Sequence, residues 1–166
     1  MNNNKSHNSK IRVELFNGDN VTPLVPIFSN EFPNWSGDKI KCHIHSFSNS
    51  CANVSGVLLA KNEAQYIIGI LLYRFIENNV TKTNQKQIHY KKYLKITEIF
   101  TFNNLFQNET FLALFNYTKV ICLKNSCSYV ELPNKDNKYN KIKDKNKNQI
   151  VSKTDASIFF SLEYLY

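Results

Sequence analysis

The sequence predicts one mixed α/β domain, and three stretches carry that reading. The first is Tyr93–Pro133, YLKITEIFTFNNLFQNETFLALFNYTKVICLKNSCSYVELP, which reads strand, loop, helix, strand. Leu94, Ile96, Phe100 and Phe102 alternate at a strand's period of two, with Glu98 the one charge on that parity. Phe111, Leu114, Phe115, Thr118, Ile121 and Cys122 then recur at helical spacing, and Ser128–Leu132 forms a second strand. Strands joined through a helix of this length are usually parallel, with the crossover packed on the sheet. The second stretch is a hairpin, Gly56–Lys61 and Gln65–Phe75, whose longer strand is apolar on both parities and so predicts cover on both faces. The third is the closing strand, where Ile158, Phe160, Leu162 and Tyr164 alternate with Phe159, Ser161, Glu163 and Leu165.

Taken in order, residues 1–9 are a polar tail and 10–166 the domain. Lys10–Phe16 reads as a first strand, closed by the turn Asn17-Gly18-Asp19-Asn20. Val21–Trp35 predicts a helix capped by Thr22, with Leu24, Ile27, Phe28 and Phe32 on its apolar face. Pro26 shifts its start toward Val25 or distorts its first turn. Asp38–Phe47 predicts a second helix on the Ile40, Ile44, Phe47 stripe. Ile76–Lys92 is lysine-rich and reads as a long loop or hairpin arm. Asn108 suits the cap of the crossover helix and Asn125 a left-handed stop. Asn134–Lys153, rich in Lys, Asn and Asp, predicts a short helix or a loop.

Composition narrows the function classes. Hydrophobic residues make up 42% and aromatic residues 13%, enough for a core and too much for a disordered chain. No apolar run approaches the roughly 20 residues of a membrane span, and the polar start has no signal-like block, so a cytoplasmic protein is expected. The net charge of +8 comes almost wholly from Lys, with Arg only at Arg12 and Arg74. Readers of bases and phosphates favour the bidentate Arg fork, which argues against a nucleic-acid partner. Cys42, His43, His45 and Cys51 cluster in sequence, but their spacing matches no common zinc pattern.

The central unit resembles the acetyl-CoA-binding core of the Gcn5-related N-acetyltransferases (GNAT). The resemblance rests on the acidic-apolar strand Thr97-Glu98-Ile99-Phe100 and on Tyr129-Val130-Glu131-Leu132-Pro133 at the matching distance after the helix. Ile67-Ile68-Gly69 fits the glycine that follows two aliphatics in the family's third strand. It covers Lys10–Pro133, whereas the tail offers only Asn134 and Tyr139 of the family's pattern. The family's Arg/Gln-x-x-Gly-x-Gly/Ala loop is replaced by Phe106-Gln107-Asn108-Glu109-Thr110-Phe111, without glycine or arginine. The resemblance implies a mostly antiparallel sheet with a splayed central parallel pair and flanking helices. It also implies transfer of an acetyl group from acetyl-CoA, as co-substrate, to a small amine or a protein amino group.

Site residues follow from the same resemblance. Glu98 takes the position of a general base, and desolvation among Leu94, Ile96 and Phe100 would suit a base working near neutrality. Tyr139 takes that of the general acid. Backbone groups of Ile99, Phe100 and Thr101 would hold the pantetheine arm. Phe106, Gln107, Asn108, Glu109, Thr110 and Phe111 stand where the pyrophosphate meets a helix start. Bulk at Phe106 and Phe111 and charge at Glu109 predict weak, salt-sensitive binding helped by lysines of 82–92 or 135–153. His43 and His45 belong to the acceptor side on the family's plan; exposed, solvated imidazoles are the simpler expectation. A fold retained as a binding module, with acetyl-CoA affinity weak or lost, is the other reading. The acceptor and the oligomeric state stay open.

Overall fold

The computed structural model describes residues 10–48, 54–77, 92–102, 107–134 and 140–162. Strand β1 (Arg12–Leu15) leads through a 3-10 turn (Thr22–Leu24) into helix α1 (Val25–Glu31) and helix α2 (Gly37–Ser48). Strands β2 (Ser55–Lys61), β3 (Ile67–Glu77) and β4 (Lys92–Thr101) follow. Helix α3 (Gln107–Lys124) crosses to β5 (Tyr129–Pro133); helix α4 (Asn140–Lys145), β6 (Ile150–Lys153) and β7 (Ser157–Ser161) complete the chain. One seven-stranded sheet runs β1-β2-β3-β4-β5-β7-β6, antiparallel except for the β4–β5 pair. This is the mixed sheet with a central parallel pair that the sequence predicts.

Each face of the sheet has its own core. On one face α3 packs Phe111, Leu114, Phe115 and Cys122 against Leu58, Leu71, Leu94, Ile96, Ile99, Val130, Ile158 and Phe160. On the other, α1 and α2 bring Leu24, Phe28, Ile40, Ile44 and Phe47 onto Val57, Leu59, Ile70, Leu72 and Phe100. That both parities of β3 are buried follows from this double cover. Gly69 lets α3 approach β3 closely, because a Cβ there would meet Thr110 Cγ2 at 2.5 Å and Phe100 O at 3.1 Å.

Helix α1 starts at Val25, the shifted start that Pro26 predicts, so Pro26 sits where no N–H is needed. Other local details depart from the sequence reading. Thr22 makes no side-chain cap; its N–H is taken by Asn20 Oδ1. Asn108 lies inside α3, and the left-handed residue after that helix is Ser126 (φ 57°), not Asn125, whose side-chain amide donates to Ile121 O. Within 134–153 the structure places α4 and also β6, an edge strand on β7. Lys119 of α3 fastens this segment. It is buried over the Phe115 ring, donates to Asn146 Oδ1 and Gln149 Oε1, and its burial lowers its pKa. The 76–92 arm lies mostly outside the described residues.

Candidate active site

A bulge in β4 builds the site. Tyr73 of β3 faces Ile96, yet Leu72 faces Glu98, so Thr97 is an extra residue without a partner position. The insertion shifts every later side chain by one face. Leu94 and Ile96 point into the α3 core, but Glu98 and Phe100 point toward α1 and α2. The sequence reading put Glu98 among Leu94, Ile96 and Phe100; the structure separates it from the first two. A bulge costs regular ladder bonds and adds local twist, and it re-aims the side chains that follow.

Glu98 meets His43 of α2. His43 Nε2 lies 3.2 Å from Oε1 and 3.3 Å from Oε2, and the two side chains are 22% and 20% exposed. An imidazole N–H shared between both oxygens fixes the plane of the carboxylate while leaving its outer lone pairs for another donor. The imidazole is wedged among rings: Trp35 at 5.2 Å, Phe47 at 5.4 Å, Phe32 at 6.3 Å and Phe28 at 6.4 Å, all near edge-on. Phe28 and Phe47 belong to the core, whereas Phe32 and Trp35, stacked at 4.4 Å, are half-buried beside His43. His43 is therefore not the solvated imidazole of the simpler expectation. Its signal was present in the sequence: it completes the Ile40, Ile44, Phe47 stripe at helical spacing. His45 is half-buried away from this pair, with Nδ1 unpartnered.

The opening beside Glu98 comes from the parallel pair. The β4–β5 ladder consists of Leu94↔Val130 and Lys95↔Glu131. From Ile96 onward β4 has no register with β5, and β5 continues on β7 alone. Val130 and Glu131 pair with Leu94 and Lys95, and the divergence begins above them, leaving Glu98–Thr101 unpaired with β5. Ile99, Phe100 and Thr101 follow on this unpaired edge, where only their backbone groups face the gap, since Ile99 and Phe100 bury their side chains.

Helix α3 starts next to this edge. Gln107 and Asn108 are half-buried and Glu109 is exposed in the first turn. Phe111 is buried in the α3 core, so its ring does not compete for the space in front of the helix, contrary to the sequence reading. Thr101 stands opposite Gly69, and Thr110 packs on that glycine. The buried hydroxyl oxygens of both threonines have no hydrogen-bond partner among the described residues. Buried hydroxyls are normally satisfied, so these two stand out in the packing where α3 meets β3 and β4. Phe106 and Tyr139 lie outside the described residues, as does Cys51. Among the described residues no three His, Cys, Asp or Glu side chains gather in a metal-binding group, and no helix is long and apolar enough to cross a membrane.

No protein-family model and no curated protein sequence matches the chain. Solved structures do. The chain is similar to Arabidopsis thaliana NAA60, solved in complex with acetyl-CoA, with a TM-score of 0.59 at 12% identity over 91% of this chain and 97% of that one. A GNAT-family acetyltransferase from Staphylococcus aureus Mu50 gives 0.57 at 15% identity, covering 93% and 100%. The aminoglycoside 6'-N-acetyltransferase AAC(6')-Ih from Acinetobacter baumannii gives 0.56 at 11% identity, covering 73% and 77%. With these matches, the mostly antiparallel seven-stranded sheet, its parallel β4–β5 pair and its flanking helices show that the chain has the fold of the Gcn5-related N-acetyltransferases.

Proposed function

We propose that the protein is an N-acetyltransferase that moves an acetyl group from acetyl-CoA to a primary amine. One observation carries the reading. The bulge at Thr97 turns Glu98 away from the α3 core, to the His43 side of the sheet, at the point where β4 has parted from β5. Acetyl-CoA supplies an acyl group activated as a thioester. An amine enters as ammonium at neutral pH, and Glu98, held in plane by His43, takes its proton. The nitrogen lone pair then forms the C–N bond, the C–S bond breaks with its electron pair leaving on sulfur, and the amide nitrogen sheds its remaining extra proton to water; sulfur takes up a proton from Tyr139, the proposed donor, which is reprotonated from solvent. The backbone groups of the edge Ile99–Thr101 would orient the pantetheine arm. The first N–H groups of α3, at Gln107, Asn108 and Glu109, would face the anionic end.

A second reading, a binding module with little acetyl-CoA affinity, is favoured by the start of α3, which has no glycine and carries Glu109. Calorimetric titration with acetyl-CoA, followed by thiol release with a panel of amines, separates the two. Binding and turnover, with turnover lost in Glu98→Gln, are expected. Turnover that survives in Glu98→Gln would sink the proposed role of Glu98, and no binding at millimolar acetyl-CoA would leave the module.

A further inference from the structure

We propose that the acceptor is a zwitterion, a primary amine joined to a carboxylate by a short chain, with Arg74 as the residue that selects it. The proposal deepens the acetyl-transfer reading and rests on it. Its basis is a second oriented charge on the face that carries Glu98. Across the β3–β4 ladder Leu72 faces Glu98 and Arg74 faces Lys95. Arg74, two residues from Leu72, points to the same side of β3. It is thus a diagonal neighbour of Glu98, about 7–8 Å away between backbone positions. Helix α2 joins the two: His43 meets Glu98, and Ser46, one turn further on, accepts from Arg74 Nη2 at 3.3 Å.

Arg74 is exposed, yet its guanidinium is not loose. It lies over the Phe47 ring at 4.4 Å, and the Ser46 bond fixes one edge. Among the described residues, cations near Arg74 and on helix α2 are committed. Lys95 is paired with Glu131, Lys41 with Asp38, and Lys39 lies over the Trp35 ring. Among the described residues Arg74 has no carboxylate partner, so an exposed planar donor fork lies near the partly exposed Glu98 carboxylate. Such a fork matches a carboxylate on two bonds. An acceptor bound with its ammonium on Glu98 would place an acid group at the end of a short chain on Arg74. A diamine would set its second cation against Arg74, and a simple alkylamine would leave it unused; the geometry disfavours the first and does not reward the second.

The test compares ε-aminocaproate, hexylamine and hexamethylenediamine, equal in length, by thiol release at saturating acetyl-CoA. The expected order of kcat/KM puts ε-aminocaproate first and the diamine last. Arg74→Met should raise KM for ε-aminocaproate roughly 10- to 100-fold, the range of one charge-assisted contact, with no matching rise in KM for acetyl-CoA. Arg74→Lys, which keeps the charge and loses the fork, should recover part of it. A preferred diamine, or an unchanged KM in Arg74→Met, overturns the proposal. If the unaltered protein acetylates none of the three, acetyl transfer to such amines fails as a reading. Calorimetric titration with ε-aminocaproate then still decides the site: binding that weakens in Arg74→Met supports it, and no binding overturns it.

Discussion

Glu98 and Glu131 are carboxylates on neighbouring strands and the same face of one sheet, and they are spent in opposite ways. Glu131 is 5% exposed. One of its oxygens takes Lys95 Nζ at 3.0 Å and the Ser157 hydroxyl, and Tyr93 also faces it. Burial, with Glu131 adding to it, raises the Tyr93 pKa. Glu98 is four times as exposed and has His43. The difference comes from register. Glu131 sits where β5 is paired on both sides, and Glu98 sits beyond the bulge, where β4 has lost one neighbour. The Glu131 carboxylate ties strands together through Lys95 and Ser157, whereas Glu98 has His43 and lone pairs left for a further donor. Sequence type is identical; the ladder decides.

The largest effect expected from breaking this contrast is on turnover. Glu98→Gln should lower kcat by roughly 10²- to 10⁴-fold, the usual share of a general base, with a melting temperature close to that of the unaltered protein. Loss of stability beyond about 2 kcal/mol in urea titration would instead make Glu98 a structural residue like Glu131. Glu131→Ala is expected to show the mirror image, a cost of about 2 kcal/mol, because Lys95 and Ser157 lose their acceptor. The partial exposure of Lys95 keeps that figure below the range for a fully buried pair.

A buried cation sharpens the comparison, since Lys119 donates to two neutral amides over the Phe115 ring. Burial lowers its pKa below 10.5, so between the lowered value and 10.5 the unfolded chain binds more protons, and stability rises with pH. Tyr73 acts the other way. Burial raises it from 10.0 to about 12, and stability falls across that window. The pH-dependent part of the stability difference between Lys119→Met and the unaltered protein should therefore favour the variant at neutral pH and shrink as pH climbs through 10.5. Urea midpoints at a series of pH values measure this, and a flat difference would contradict it. The smallest expected effect is at α3. Glu109→Gln removes an exposed charge from the first turn and should tighten acetyl-CoA about two- to fivefold at low salt, read by calorimetry.

The sequence exposed the order of elements because the patterns were strong: β3 is apolar on both parities, and α3 has a clean helical stripe. It hid the bulge. Leu94, Ile96, Glu98, Phe100 and Phe102 share one parity on paper, and only the pairing with β3 shows that the row changes face at Thr97. Strand β6 was hidden for a different reason. Lys, Asn and Asp dominate its surroundings, and an edge strand needs only Ile150 turned inward to dock. The partnership of His43 with Glu98 spans 55 positions, beyond any local pattern. Phe111 misled because a phenylalanine at a helix start looks bulky until the helix phase puts it underneath.

Gly69 holds a further lesson. The helix that opens beside the gap rests on β3 at the distance one missing methyl allows. A side chain there would act as a wedge, lifting the front of α3 while its rear stayed anchored by Lys119 and Cys122. The tilt would alter the width of the entrance from beneath, without touching anything that passes through it. Affinity could thus be tuned from a position no ligand sees, and drift in the missing-glycine loop need not be corrected within the loop itself.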